Sequence, residues 1–592
     1  MRFFLKMTHT SIGSKISSMI FNIIRTKPKY QVVIFFFTFT FLLLPSTAFA
    51  VLDPLAVPNN KFGIHIIQAT PDESSPAASL VNSTGGDWGY ITVLIEGKDK
   101  NKDKWQEFFN DLRRRHLIPL VRLATIPDGN FWKIPDIGEA QVWADFLDFL
   151  NWPTKNRYVI IYNEPNHGSE WGNNADAKSY AQVLNQTITA LKTKNKDFFV
   201  LNAGFDASTP HSLPSYEDEL TFMKQINSEV PGIFEKLDGW VSHSYPNPGF
   251  VSSPEAVGRG SVRTWNWELQ QLKNLGVTKN LPVFITETGW KHAEGLVYNY
   301  AFPTSETVSA YYQNAFQNAW ENERIVAVTP FLLSYQEYPF DHFSFKQVKS
   351  SDYYPQFKTL LELPKLAGKP VQDMLASLIK GEVYSSIVAG ETYDISLTFK
   401  NTGQSIWNDQ ETVYLAALAG EKELGIEKTA IPKETKVEPG KEYTFKIQLK
   451  APQKGSFRVR LNLFSGSKEF ESQAIEFTTV VKQPVILQIL SQLKWKESPA
   501  GDYILRVGGV VGDSQQRVIL NKNGASEEIE ARYLLPDYSF DFTLEKPYYH
   551  PKTIHQVVKP GVNILDFGTL QPAFLESLLH PAEFWKLLPW SN

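Results

Sequence analysis

At 592 residues, with 21% charged side chains and a net charge of −4, the chain is too long for one ordinary core and has no long basic run. Length alone suggests about three or four domains, and the charge balance argues against nucleic acid as a partner. Cysteine is absent, which excludes disulfides, thiolate metal sites, a cysteine nucleophile and a lipoprotein anchor.

Residues 1–50 read as an export signal. Lys27 and Lys29 precede an apolar run, Val32 to Leu44, and Ala48-Phe49-Ala50 follows. The run is short for a membrane span, and Ala-Phe-Ala fits the small-x-small cleavage rule, which predicts a cut after Ala50. Left uncut, the segment would tether the chain to a membrane. The expectation is therefore a secreted or cell-surface protein.

From 51 to 368, short apolar runs alternate with longer amphipathic ones. Eight candidate strands lie at Phe62–Ile67, Trp88–Leu94, Ile118–Leu123, Tyr158–Tyr162, Phe199–Ala203, Gly239–His243, Val283–Thr286 and Val326–Leu333. Helical stretches fall between them at Lys104–Arg115, Ile137–Leu150, Ala175–Lys192, Tyr216–Asn227, Val262–Leu275 and Ser305–Glu321. In one of these, Trp143, Phe146, Leu147 and Leu150 recur at i, i+3, i+4 and i+7, a single helix face. Strands alternating with helices imply a parallel sheet, and eight repeats imply closure into a TIM-type (β/α)8 barrel.

After Pro364 the texture changes to half-exposed strands broken by Gly, Pro and Asn turns. This predicts all-β sandwich domains at 369–482 and 483–592. Asn401-Thr402-Gly403 followed by Trp407 resembles the turn and core Trp of an immunoglobulin-like module. Leu544 to Ile554 resembles small sandwiches of the carboxypeptidase-regulatory type, and Pro581–Pro589 predicts a short amphipathic tail packed on that module. These modules would position the barrel, extend its cleft or bind polymer. No heptad or self-complementary strand stands out, so the default is a monomer.

The chemistry concentrates at strand ends. Tyr158-Val-Ile-Ile-Tyr162 opens into Asn163-Glu164-Pro165-Asn166, and Leu281-Pro-Val-Phe-Ile-Thr286 opens into Glu287-Thr288-Gly289-Trp290. A carboxylate at the C-terminal end of a buried strand is where such a barrel keeps its chemistry. Two of them are what glycoside hydrolysis needs: an acid to protonate the leaving oxygen, and a base or nucleophile on the other face of the sugar. The plain alternative for Asn163 and Asn166 is a helix N-cap. Glu170 is a local competitor for Glu164, but it lies in the loop. His243 and Tyr245, two residues apart, fall on one face by strand alternation, with a core histidine as the alternative for His243. Arg122, near the end of the third strand, supplies positive charge under the carboxylates or a salt bridge at the rim. Trp290, Tyr335, Trp171 and Trp132 are candidate platforms for the flat faces of sugars, and 13% aromatic content with 15 Trp suits that use. His65 faces the cleft or the core. No histidine pair has metal-ligand spacing and no glycine-rich phosphate loop occurs, so neither metal nor cofactor is expected.

Asn163-Glu164-Pro165 after one strand, His243 and Tyr245 after a later one, and Thr286-Glu287 after the next resemble glycoside hydrolase clan A. The resemblance spans roughly residues 60 to 365. It implies a retaining mechanism on β-linked oligo- or polysaccharides, with Glu164 as acid/base and Glu287 as nucleophile. It also implies Asn163 on the sugar 2-hydroxyl and Tyr245 as a donor to the nucleophile, with the β-xylosidase-like and cellulase-like branches nearest. Where the clan commonly has a Trp at the end of the eighth strand, this chain has Phe331-Leu-Leu-Ser-Tyr335. The competing reading is a carbohydrate-binding or adhesion protein built on a retired barrel.

Overall fold

The computed structural model describes residues 51–136, 138–509 and 514–573. The export signal and the C-terminal tail lie outside the described residues. Eight parallel strands form the first unit: β1 (Gly63–His65), β2 (Gly89–Glu96), β3 (Leu117–Ala124), β4 (Arg157–Ile160), β5 (Phe198–Leu201), β6 (Trp240–His243), β7 (Val283–Glu287) and β8 (Ile325–Val328). β1 to β5 pair in order, as do β6 to β8. Parallel bridges Leu201–Gly239 and Phe62–Val328 join the two sets into a closed barrel.

A helix follows each strand, at Pro71–Val81, Lys102–Arg114, Glu139–Phe149, Ala177–Lys194, Glu219–Glu229, Thr264–Asn274, Ser305–Asn314 and Pro355–Glu362. The first lacks a clear apolar period, and the last is only eight residues long. Each opens on a proline, whose fixed φ suits the first helical turn, and Pro76 interrupts the first of them. The predicted Ser305–Glu321 helix is α-helical only to Asn314 and continues as a π-helical turn, Ala315–Ala319.

Alternate strand residues serve two cores. Tyr90, Leu120, Tyr158, Ile160, Phe199, Leu201, Val241 and Phe284 fill the barrel interior. Their neighbours Ile91, Val93, Val121, Val159, Val200 and Ile285 pack against the helices. Both faces are buried, so these strands read as continuous apolar runs. Val51 and Leu55 pack against the interior cluster, and Asn156 exchanges two hydrogen bonds with the backbone of Leu52, closing the end where the strands begin.

Beyond the barrel, Ala376–Gly381, Thr392–Asn401 and Glu442–Lys450 form one sheet, facing a second built around Val413–Ala419, Gly455–Ser465 and Ile475–Lys482. Their common core includes Trp407. Two further sheets cover 485–570 around a separate apolar cluster. The first sandwich docks on loops that precede barrel strands, the end away from Glu164 and Glu287. There Asn151 and Gln404 donate across the junction to the Gly403 and Thr154 carbonyls, and Lys155 pairs with Asp373 at 3.1 Å. Of the roles left open for this module, its place at the opposite end suits positioning the barrel and not extending the cleft.

Candidate active site

Residues at the C-terminal ends of the barrel strands surround a cavity of about 580 Å³. β4 runs out of regular pairing at Ile160, and the backbone then takes positive φ at Tyr162 (+71°) and Glu164 (+28°). Left-handed backbone at non-glycine residues costs energy and persists only where surroundings enforce it, as at functional sites. The Glu164 N–H is held by the Gly204 carbonyl at 3.1 Å. Glu287 ends β7, where an irregularity in register brings it opposite His243 of β6.

A carboxylate oxygen of Glu164 and one of Glu287 lie within 4.8 Å of each other, and within the same distance of His243. The arrangement is asymmetric. Glu287 accepts from Arg122 Nη1 at 2.5 Å and from the Tyr245 hydroxyl at 3.1 Å. Burial pushes its carboxyl up, but the His243 and Arg122 cations outweigh that and hold it down to about 2. Glu164 instead touches His243, whose Nδ1 lies 2.8 Å from Oε1 and 3.8 Å from Glu287 Oε2. Burial opposes the charge on His243, and the two carboxylates overcome it and raise the imidazole. The ring fits only because residue 204 is glycine: a Cβ there would meet it at 2.1 Å.

Asn163 is clamped between Arg122, which donates to its Oδ1 at 2.8 Å, and Glu170, which accepts from its Nδ2 at 3.2 Å. Glu170 therefore reaches the site from its loop; burial and the charge of Glu164 push its carboxyl up. The N-cap alternative fails, because Asp176 caps the next helix, Ala177–Lys194. Asn166 instead ties down the loop after β5 through Asp206 and Thr209.

Tyr335, Trp132, Asn163, Tyr245 and Arg122 line the cavity. Trp171 and Trp290, expected at its surface, do not, and of the two readings of His65 the core one holds. Trp171 is fully buried, packed edge-on between Tyr162 and Tyr180 with its indole N–H toward Ser179. Trp290 is buried against Tyr311, Tyr312 and Trp320, its indole N–H held by the Ser252 carbonyl. His65 is fully buried, 3.8 Å from Glu287 Oε1; burial first, then the Arg122 charge, pull its imidazole down to about 3, so it stays neutral. His243 is also almost wholly buried, so it positions and polarises Glu164 rather than touching a ligand. Its alternative as a bystander in the core fails on that contact.

Sequence reasoning missed His167 and Asp206, paired at 2.9 Å, and the aromatic wall that Phe250, Phe340 and Phe343 build beside Phe331, with Lys291. Asp206 lies three residues beyond a predicted strand end, a findable signal; Phe340 and Phe343 come from a long loop with none. The Glu164–His243–Glu287 cluster also has donor spacing that a divalent cation accepts. Arg122 already occupies Glu287 Oε1, however, and an imidazolium beside it would repel a second cation.

No family model matches the sequence, and no curated protein matches it either. Among solved structures, the chain is similar to a family 39 glycoside hydrolase from Bacteroides cellulosilyticus WH2, with 12% identity and a TM-score of 0.36, over 68% of this chain and 82% of that one. It is also similar to a β-mannanase from Thermomonospora fusca, with 14% identity and a TM-score of 0.33, over 50% and 86%. A fungal β-1,4-galactanase matches at 13% and 0.35, over 51% and 94%. At such values the likeness carries no argument about chemistry, and the roles of residues rest on the geometry.

Proposed function

We propose that the chain is a retaining glycoside hydrolase acting on β-linked glycans, exported through its N-terminal segment. One observation carries this reading. Two strand-end carboxylates stand within 4.8 Å across an open cavity, one held ionised by Arg122, Tyr245 and His243 and the other hydrogen-bonded to an imidazole that can share a proton. Retaining enzymes place their carboxyl groups about 5–5.5 Å apart, whereas inverting ones leave about 6.5–9.5 Å for a water.

In the first step Glu287 attacks the anomeric carbon as Glu164 gives its proton to the departing glycosidic oxygen. One C–O bond forms, one breaks, and a glycosyl ester remains. Water then enters; Glu164 takes its proton while its oxygen attacks the same carbon, and Glu287 leaves as carboxylate. Arg122 and Tyr245 keep the nucleophile charged before and after. Asn163 is placed to exchange one of its present partners for the sugar 2-hydroxyl, a contact worth most in the transition state.

The test is hydrolysis of a panel of aryl β-glycosides and β-glycan oligosaccharides, with proton NMR of the first-formed anomer. Retention, with azide restoring turnover to Glu287→Gly or Glu164→Gly as a glycosyl azide, supports the reading. Inversion defeats the nucleophile assignment. Glycan binding without hydrolysis across the panel favours the adhesion alternative.

A further inference from the structure

Three cationic side chains line the cavity, and two are already neutralised: Arg122 by Glu287 at 2.5 Å and His167 by Asp206 at 2.9 Å. Lys291 is different. Among the described residues its ammonium makes no ion pair, and burial, which pulls its pKa down, meets no opposing carboxylate. It is packed against three ring faces instead, with Nζ 4.7 Å from the centre of Phe250, 5.4 Å from Phe302 and 5.5 Å from Phe343. Its backbone N–H is anchored on the Phe250 carbonyl at 3.0 Å, so the stem has a fixed root.

The place matters as much as the charge. Phe250 and Phe343 also contact the Tyr245 ring, at 5.0 and 5.9 Å between centres, and the Tyr245 hydroxyl is on Glu287. The lysine therefore stands beside the reacting carbon's side of the cavity, beyond one layer of aromatic rings. The other acids of the cleft sit elsewhere, since Glu96 ends β2 and Glu170 and Asp206 follow β4 and β5. A partly dehydrated ammonium held only by ring faces recovers its lost hydration by meeting an anion.

Resting on the glycosidase reading, we propose that Lys291 forms a subsite for an anionic substituent of the glycan, a uronic carboxylate or a sulfate ester, on the sugar at or next to the cleavage point. The Phe250, Phe302 and Phe343 rings hold the ammonium in place, and Phe250 and Phe343 present an apolar wall to the sugar ring.

The experiment uses the full chain carrying Glu164→Gln, so that binding is read without turnover. Calorimetric affinities are measured for β-linked oligouronides, sulfated β-glycan oligosaccharides and their neutral counterparts, with Lys291→Met and Lys291→Arg in the same background. The expected result is a preference for one anionic class that falls about tenfold or more in Lys291→Met, the scale of losing one charge-assisted contact, and survives in Lys291→Arg. Which class shows it separates carboxylate from sulfate. Neutral ligands binding as well as both anionic ones, or a preference that Lys291→Met leaves intact, overturns the proposal. Because binding is read apart from catalysis, failure of the glycosidase reading would appear separately, as an unmutated chain that binds but does not hydrolyse.

Discussion

Each end of the barrel holds a histidine between two carboxylates, and the two clusters do different things. At the closed end His116 lies 2.7 Å from Asp87 through Nδ1 and 2.7 Å from Asp409 of the sandwich through Nε2, stacked flat on Trp88. At the open end His243 lies 2.8 Å from Glu164 and 3.8 Å from Glu287. Both imidazoles are raised against burial by their acids, His116 to about 9. In the first cluster both ring nitrogens are satisfied and Asp409 is also tied to Lys436, so the charge clamps one domain to another. In the second the acids face open space and carry separate partners, so their protons and lone pairs are free to react. A histidine–carboxylate cluster is thus not itself a sign of catalysis; the free face of the acid is.

The sharpest way to break this comparison is at Glu164 and Glu287. Glu164→Gln is expected to cut kcat by about 100- to 10,000-fold, less on substrates whose leaving group needs no proton, and Glu287→Gln at least as much. Steady-state rates on glycosides of graded leaving-group acidity check both. Next in size is Gly204→Ala. The new Cβ would displace the His243 ring from Glu164, and a misplacement of that kind costs about 100-fold in kcat with little change in KM. A pH–rate profile shifted on its basic limb would assign the effect to the His243–Glu164 proton.

At the other end, His116→Gln should leave turnover alone and lower stability by roughly 1–2 kcal/mol near pH 6. The folded value of about 9 lies above the ordinary 6.5, so the clamp contributes fully below pH 6.5 and its contribution is lost as pH rises through 9. Thermal unfolding at pH 6 and pH 10 should therefore show the two chains differing at the lower pH and converging at the higher. The smallest expected effect separates wall from core among the tryptophans. Trp132→Ala should raise KM by about tenfold, the scale of one aromatic contact, whereas Trp171→Phe should lower the unfolding temperature without altering KM.

Much of the architecture was legible because barrel strands buried on both faces become apolar runs that need no partner to be recognised. Glu164 and Glu287 were legible for the same reason, since a strand's end is a position that sequence can locate. The first and last helices were not: a weak period and an internal proline hid Pro71–Val81, and eight residues were too few to show the period of Pro355–Glu362. Loop residues were the main failure. Trp171 and Trp290 stood close after Glu164 and Glu287 in sequence and turned into the core.

The sequence by itself determined the strand–helix repeat, the sheet-rich second half and the two acids at neighbouring heights, since local periodicity and chain order suffice for these. Only the tertiary structure decided which acid is held ionised and which shares its hydrogen bond with an imidazole. That depends on Arg122 from β3, Tyr245 beyond β6 and the room left by Gly204, brought together by barrel closure. It also decided that adjacent residues Trp290 and Lys291 part company. A carbonyl 38 positions away captures the indole, while the ammonium, too costly to bury unpaired, stays in the cleft.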